Sequence, residues 1–398
     1  MRKYQLIAMV LSIAMVVLIL TGCFLIPATT YTISGHVKDT LGNSLKDVLI
    51  SFDRGYQGVT TDASGYWTKD GLSGTVTVVP FKDGWTFDPL ERFVSTTNDH
   101  VDFSATFTRK VIKTLNVGKS PVAIAINEKT NKIYVTNSGD NSLSVVDGAN
   151  DTVVATISVG SNPEGVAVNT ATNRIYVTNY VDNSLSVIDG ANNAVIATIK
   201  VGTHPLGIDI NPKTNEIYVA NLSSNNISII SGVNNSILAT VDVDSPYGIK
   251  IDPTGEKAYV TSFSSSVVNV VDILNRTITK KITVGRKPGN LSVNAVTDKI
   301  YVLNTNEKTM SVIDGQNDSL IKTFYVGGGP SGVDINSKTN MIYISTWLDK
   351  DVEVVNGVND SLISHISTGK ILEGIAVNSS NGKIYVTGND DNTLIVIH

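Results

Sequence analysis

Lys132-Ile133-Tyr134-Val135-Thr136-Asn137 is the stretch that decides the fold, because its Ile-Tyr-Val centre returns six times, with single changes, before the C-terminus. The later copies are Ile175-Tyr176-Val177-Thr178-Asn179, Ile217-Tyr218-Val219-Ala220-Asn221, Ala258-Tyr259-Val260-Thr261-Ser262, Ile300-Tyr301-Val302-Leu303-Asn304, Ile342-Tyr343-Ile344-Ser345-Thr346 and Ile384-Tyr385-Val386-Thr387-Gly388. The tyrosines are 42, 42, 41, 42, 42 and 42 residues apart. A fixed period of this length indicates one structural unit repeated along the chain.

Each repeat predicts four short antiparallel strands. In the second repeat they cover residues 163–169, 174–179, 184–189 and 194–201, and the turns between them are rich in Gly and Asn, as tight hairpins require. A sheet of this kind has two apolar faces and is stable only between neighbours, so the seven repeats predict an all-β, seven-bladed β-propeller. Residues 110–117 match a fourth strand, whereas the chain ends after a third. We therefore expect this N-terminal strand to complete the last blade and close the ring.

The repeats resemble the YVTN-type β-propeller repeats of bacterial and archaeal surface proteins. The likeness extends over residues 109–398 and includes the motif Val-Gly-x-x-Pro at residues 159–163, 201–205 and 284–288. Two repeats depart from it: one has the shortened Val243-Asp244-Ser245-Pro246, and the last has no proline in Thr368-Gly369-Lys370-Ile371-Leu372. Related seven-bladed propellers include lactonases and quinoprotein subunits, so the fold leaves the activity open.

Residues 31–108 predict a small seven-stranded β-sandwich of short alternating strands. Three segments resemble the carboxypeptidase-regulatory or transthyretin-like sandwich: Ile33-Ser34-Gly35-His36-Val37, the turn Leu41-Gly42-Asn43, and Thr61-Asp62-Ala63-Ser64-Gly65-Tyr66-Trp67. The resemblance implies an Ig-like fold and a role as a spacer or adhesive unit. It implies no activity.

Residues 1–23 have the layout of an export signal. Arg2 and Lys3 precede an apolar run at residues 6–20, which is followed by Thr21-Gly22-Cys23. The segment resembles a bacterial lipoprotein signal with its lipobox, which implies lipidation of Cys23 and a linker at residues 24–30. We expect an extracytoplasmic protein that is lipid-anchored to the cell membrane or the outer membrane. The alternative is an uncleaved membrane anchor.

Composition narrows the classes of function. Cys23 is the only cysteine, so the fold must be stable without disulfides, and thiolate catalysis and cysteine metal sites are excluded. The formal net charge is -5, and the body of the chain has no clusters of Lys or Arg. This charge argues against nucleic acid as a partner.

Candidate binding residues are those that differ between repeats on the face where two sets of loops meet. These loops join the fourth strand to the next repeat and the second strand to the third. Positions that vary in type do not hold the repeat together, and aromatic rings beside carboxylates suit sugar rings or extended peptide. The alternative is that the aromatic rings pack locally on the loops. The candidate ligand-binding residues are Glu164, Tyr180, Tyr247, Phe263, Trp347 and Glu373.

A second variable position lies midway along the innermost strand, where several repeats carry alanine. Four repeats carry polar residues there, and these are predicted to line the central channel: Asp209, Lys250, Ser292 and Asp334. Asp209 and Lys250 lie in adjacent blades. We expect them to form a structural ion pair, because a buried charge without a partner is costly.

No catalytic residue, metal ligand or cofactor site is predicted. The 5 histidines share no ligand spacing, and no Ser/His/Asp set has a recognisable local signature. The sequence therefore favours a binding or scaffold protein of the cell envelope that recognises a protein or glycan partner. Two alternatives stay open: a lactonase-like or cofactor-dependent enzyme acting at the channel mouth, and a structural surface-coat component.

Overall fold

The structure is a computed structural model that describes residues 29–40, 42–82 and 84–398. The export signal, Cys23 with its expected lipid, most of the 24–30 linker and Leu41 of the predicted turn lie outside these residues. Two compact units divide the chain, Met1–Phe107 and Thr108–His398. All regular elements of the described residues are β-strands, which confirms the all-β class. In the same residues no helix has the length and apolar character needed to cross a membrane.

The N-terminal unit contains two four-stranded sheets, with strand orders β4-β1-β8-β6 and β3-β2-β5-β7. Their strands are β1 (Tyr31–Asp39), β2 (Leu49–Phe52), β3 (Val59–Thr60), β4 (Tyr66–Leu72), β5 (Val76–Phe81), β6 (Trp85–Asp88), β7 (Arg92–Val94) and β8 (Phe103–Phe107). The expectation of seven strands is therefore wrong by one. The additional strand is β6, in which Trp85 and Phe87 are buried and alternate with exposed residues. Gly84 and Pro89 flank these four residues and indicate a turn in the sequence.

The C-terminal unit begins with β9 (Val111–Asn116) and contains seven four-stranded sheets, numbered here in chain order. Sheet 1 contains β10 (Pro121–Asn127), β11 (Lys132–Asn137), β12 (Ser142–Asp147) and β13 (Thr152–Ser158). Sheet 2 contains β14 (Pro163–Asn169), β15 (Arg174–Asn179), β16 (Ser184–Asp189) and β17 (Ala194–Lys200). Sheet 3 contains β18 (Pro205–Asn211), β19 (Glu216–Asn221), β20 (Asn226–Ser231) and β21 (Ile237–Asp242). Sheets 4 and 5 contain β22 (Pro246–Ile251), β23 (Lys257–Ser262), β24 (Val267–Asp272), β25 (Thr277–Thr283); and β26 (Pro288–Val293), β27 (Lys299–Asn304), β28 (Thr309–Asp314), β29 (Ser319–Tyr325). Sheets 6 and 7 contain β30 (Pro330–Asn336), β31 (Met341–Thr346), β32 (Asp351–Asn356), β33 (Ser361–Ser367); and β34 (Leu372–Val377), β35 (Ile384–Gly388), β36 (Thr393–Ile397), to which β9 adds the fourth strand.

The first strand of each sheet faces a central channel. First strands of successive sheets contact each other, and β34 of sheet 7 contacts β10 of sheet 1. The hydrophobic core is divided among the spaces between sheets; Tyr218 of sheet 3, for example, packs with Ile249 and Val260 of sheet 4. All residues of the Ile-Tyr-Val stretches are buried, which explains why this segment of the repeat varies least.

Three of the repeat tyrosines connect one sheet to the next through a carboxylate. The Tyr259 hydroxyl donates to Asp318 Oδ1 at 2.7 Å, and Lys257 Nζ forms an ion pair with the same carboxylate at 2.8 Å. The same arrangement recurs twice, and we call each set of three side chains a latch. The other two latches are Lys299, Tyr301 and Asp360, and Lys383, Tyr385 and Asp151. The last of these joins sheet 7 to sheet 1, so it ties the end of the ring to its beginning.

Sheets 1 and 2 have an incomplete latch. Lys132 Nζ donates to Gly190 O at 3.2 Å, but the carboxylate position is occupied by Asn193. The Tyr134 hydroxyl and Asn193 Oδ1 are both buried without a hydrogen-bond partner. An unsatisfied buried polar atom typically costs 1–3 kcal/mol, so this junction is weaker than the three complete ones.

We predict that Asn193→Asp stabilises the protein by completing this latch. The backbone at Asn193 has a φ of 58°, and Asp318 adopts 52° at the equivalent position, so aspartate is tolerated there. The expected gain in the free energy of unfolding is about 1 kcal/mol, or about 2 °C in the melting temperature by calorimetry. Asn192→Asp, one residue earlier and exposed, is the matched control. An equal rise in the control, or no rise in the Asn193 variant, would contradict the assignment.

Sheet 6 contains a buried acid where sheets 1 to 5 have a small polar residue. Glu353 lies in the third strand at the position of Ser144, whose hydroxyl accepts a hydrogen bond from Asn137 Nδ2 at 3.0 Å. The Glu353 side chain is only 7% exposed. Burial, together with the charges of Asp351 and Asp349, raises the pKa of Glu353 to about 7.

Glu353→Gln should therefore raise stability at alkaline pH and change it little in acid. Because the folded-state pKa lies above the ordinary carboxyl value, the cost of ionising Glu353 is absent below about pH 4.5 and fully present above pH 7. This pKa shift corresponds to a difference on the order of 3 kcal/mol in the free energy of unfolding. Thermal unfolding at pH 4 and pH 8, with the exposed Glu256→Gln as control, measures it. A stabilisation of equal size at both pH values would show that ionisation is not the cause.

Candidate functional site

The six candidate ligand-binding residues all lie at one end of the ring. Glu164, Tyr247 and Glu373 are the second residues of β14, β22 and β34. Tyr180, Phe263 and Trp347 directly follow β15, β23 and β31. In each sheet the start of the first strand pairs with the end of the second, as Pro163 does with Asn179, so these positions are neighbours. We call this set the mouth surface: Glu164, Tyr180, Tyr247, Phe263, Trp347 and Glu373.

Hydrogen bonds between loops hold the backbone of the mouth surface. The amides of Tyr180, Phe263 and Trp347 donate to the carbonyls of Asn162, Ser245 and Gly329 at 2.9, 3.0 and 3.0 Å. Each bond joins the loop after the second strand to the loop that enters the same sheet. The backbone is thus fixed in the same way in sheets whose side chains differ, which lets the side chains vary without loss of the loop structure.

The aromatic residues of the mouth surface form two separate stacks and one exposed ring. Tyr247 stacks on Phe263 with ring centroids 5.2 Å apart and an interplanar angle of 21°, and Lys287 Nζ lies 5.4 Å from the Phe263 centroid. Tyr180 stacks on His204 at 4.3 Å and 9°.

Trp347 is 40% exposed. The structure therefore brings Tyr247 and Phe263 together and places Tyr180 in a different stack. The rings of Tyr180, Tyr247 and Phe263 are half-buried, because each packs against a neighbouring ring. Among the aromatic residues of the mouth surface, Trp347 is the most exposed.

Glu164 and Glu373 are half-buried carboxyls on the mouth surface. Burial raises the pKa of Glu164 to about 7, and the negative charge of Glu373 adds to this. Burial likewise raises the pKa of Glu373. Burial and both carboxylates raise the pKa of Tyr247 to about 12. Neither carboxyl has an ion pair or a side-chain hydrogen bond with the described residues, so this acidic pair has no cation of its own.

A ring of mostly small residues surrounds the channel next to the mouth surface. It encloses a cavity of about 130 Å³ that the third residues of the first strands line, most of them glycine. At Gly165 a Cβ would lie 2.3 Å from Leu206 O of the next sheet, so only glycine allows this close approach. Asn290 replaces the glycine in sheet 5, and its Nδ2 donates to Ser331 O at 2.7 Å. The sequence analysis missed Asn290, although five glycines at the aligned position marked it.

The predicted channel-lining residues lie deeper. Asp209, Lys250 and Asp334 line a second cavity of about 330 Å³. Lys250 Nζ lies 3.9 Å from Asp209 Oδ1, the expected ion pair. Ser292 is buried, and its hydroxyl donates to Asp334 Oδ1 at 3.3 Å. In the described residues no group of three or more His, Cys, Asp or Glu side chains is placed to hold a metal ion.

Comparisons with known proteins bear on the fold. No protein-family model matches the sequence, and no curated protein matches it. The chain is similar in structure to Kuenenia stuttgartiensis hydrazine synthase, with a TM-score of 0.63 and 20% identity over 71% of this chain and 96% of that one. It is also similar to the β-propeller domain of Myceliophteria thermophila Cps50 (Swd1), with a TM-score of 0.65 and 9% identity over 73% of this chain and 99% of that one. At such low identities these likenesses establish the fold alone: together with the repeated four-stranded sheets, they show a β-propeller.

Proposed function

We propose that the seven sheets are the blades of a single seven-bladed propeller of the YVTN type, closed by β9, and that the two N-terminal sheets form a sandwich. The pairing of β9 with β36 supports closure, since it gives sheet 7 its fourth strand. For the sandwich, support comes from the contact between Phe52 of one sheet and Trp67 of the other, with ring centroids 6.1 Å apart.

The propeller's task in this proposal is to recognise a protein or glycan partner at the mouth surface. The observation that carries the proposal is the set of unpaired, half-buried carboxyls beside aromatic rings, Glu164 and Glu373 near Tyr247. Equivalent positions hold Val122, Leu206 and Ser331, so the fold does not require acids there. Carboxylates that accept from hydroxyls or amides, next to ring faces, suit sugars and extended peptides.

The likeness to hydrazine synthase does not favour the enzymatic alternative, because 20% identity carries the fold and no residue roles.

The proposed location is the outer side of a membrane, with a lipid on Cys23 as anchor and the N-terminal unit as spacer. The lipobox resemblance at residues 20–23 supports this location. An anchored protein meets partners only in the adjacent envelope layer, which suits a recognition module.

We predict that Tyr247→Ala combined with Trp347→Ala lowers retention of the partner at least tenfold. Loss of two aromatic contacts removes more than about 1.4 kcal/mol of binding free energy, which is a factor of ten. The full chain, immobilised, is offered cell-wall glycan fragments and exported proteins in separate experiments, and the retained material is quantified. Tyr325→Ala is the matched control, because Tyr325 is a 59% exposed aromatic residue of the outer strand β29.

Equal retention by the mouth variant and the Tyr325 variant would overturn the proposed mouth function. Retention of neither glycan nor protein by the unsubstituted chain would do the same. In that case assembly of the purified protein into ordered arrays would favour the surface-coat alternative, and hydrolysis of lactones would favour the enzymatic one.

For the anchor, we predict that Cys23→Ser abolishes incorporation of a labelled fatty acid and moves the protein from the membrane fraction to the soluble fraction. The thiol at residue 23 is the only one in the chain, so thioether attachment has no alternative site. Label retained by the serine variant would exclude lipidation at Cys23. Membrane association without label in the unsubstituted chain would favour an uncleaved anchor.

A further inference from the structure

The fifth residues of the seven first strands form a ring around the channel, here called the channel belt. Its polar arc comes from sheets 3 to 6 and consists of Asp209, Lys250, Ser292 and Asp334. Its alanine arc comes from sheets 7, 1 and 2 and consists of Ala376, Ala125 and Ala167. All of these residues except the buried Ser292 line the cavity of about 330 Å³. The space exists because the alanines leave one side of the channel unfilled.

Neighbouring sheets fix the two carboxylates of the polar arc in place. Asp209 Oδ2 accepts the Ile251 amide at 2.8 Å, and Asp334 Oδ2 accepts the Val377 amide at 2.8 Å. Both bonds cross to the next sheet, so the carboxylates are held in position before any ligand arrives.

The charges of the polar arc are only partly matched to each other. Lys250 forms its ion pair with Asp209 at 3.9 Å, a separation too long for a hydrogen bond, and its ammonium donates none within the described residues. Asp334 has no cation within ion-pair distance there. Burial raises the pKa of Asp334 more than the charge of Lys250 lowers it. The cavity thus offers an ammonium with unused donors and a carboxylate that lacks a counter-cation.

We propose that the channel belt binds a small zwitterion of the α-amino acid type, with its carboxylate on Lys250, its ammonium on Asp334 and an apolar side chain on the alanine arc. A simple anion would meet the carboxylates of Asp209 and Asp334 and also Glu128, which lines the same cavity, and a simple cation would meet Lys250. A ligand that carries both charges satisfies both groups, and the volume excludes large molecules. This site is separate from the mouth surface and does not depend on the proposed recognition function.

The test is isothermal titration of the full chain with leucine, with 4-methylpentanoate, which lacks the amine, and with 3-methylbutylamine, which lacks the carboxylate. Leucine should bind at least tenfold more tightly than either analogue. Each analogue makes one charged contact fewer and leaves one charged group of the site, Lys250 or Asp334, without a partner. Absence of leucine binding, or an analogue that equals leucine, would overturn the proposal.

Three variants assign the groups. Lys250→Met should lower the affinity for leucine at least tenfold and leave the affinity for 3-methylbutylamine unchanged or higher. Asp334→Asn should lower the affinity for leucine and leave the affinity for 4-methylpentanoate unchanged. This opposite pattern cannot come from misfolding, which would weaken the binding of all three compounds.

Ala125→Leu, which fills the half-buried alanine side of the cavity, should abolish leucine binding without lowering the melting temperature. If both charge variants weaken all three compounds alike, the assignment of groups is wrong. The Tyr247→Ala/Trp347→Ala variant should bind leucine normally, which separates this site from the mouth surface.

Discussion

The burial of one tyrosine per repeat between adjacent sheets is the constraint on which the rest of the ring depends. All seven are at most 1% exposed, so each fills the space between two sheets and brings a polar hydroxyl with it. That hydroxyl needs a partner, and where the latch is complete the turn between the third and fourth strands of the next sheet supplies it. The apolar and polar requirements of the tyrosine therefore fix both the spacing and the register of neighbouring sheets.

The threonine two positions after the tyrosine makes a second connection between sheets. Thr178 Oγ1 accepts from Gly165 N at 2.8 Å within its own sheet and donates to Leu206 O at 2.9 Å in the next. Asn179 instead stays within its sheet and donates to Ser184 and Ser186 at 3.0 Å. Each residue of the repeat motif thus has a separate structural partner, which accounts for the persistence of the motif without any reference to ligand.

Periodicity alone allowed the all-β class and the repeated four-stranded sheets to be predicted, because a face buried on both sides leaves a strong apolar pattern. Side-chain partners could not be predicted in the same way. Tyr180 and Phe263 occupy the same position of the repeat, yet Phe263 stacks on Tyr247 of its own sheet and Tyr180 on His204, in the loop that leads to sheet 3. Alignment of repeats gives the position of a ring and not the direction in which it turns. Strand β6 was missed because Gly84 and Pro89, which flank it, indicate a turn.

Three described carboxylates of the propeller, Asp318, Asp334 and Glu164, lie in different environments. Asp318 is held by Lys257 and Tyr259, and its charge strengthens a junction between sheets. Asp334 accepts a hydrogen bond from the Val377 amide, which fixes its position, although burial disfavours its charged form. Glu164, by contrast, has neither cation nor side-chain hydrogen bond in the described residues, and burial raises its pKa. Latches lie at the turns opposite the mouth, so Glu164 takes no part in them. Glu353 is also buried with a raised pKa, but it lies within sheet 6. Glu164 differs in its place at the mouth surface, where its charge acts on Tyr247, so the proposed binding role rests on its position and not on the cost of its burial.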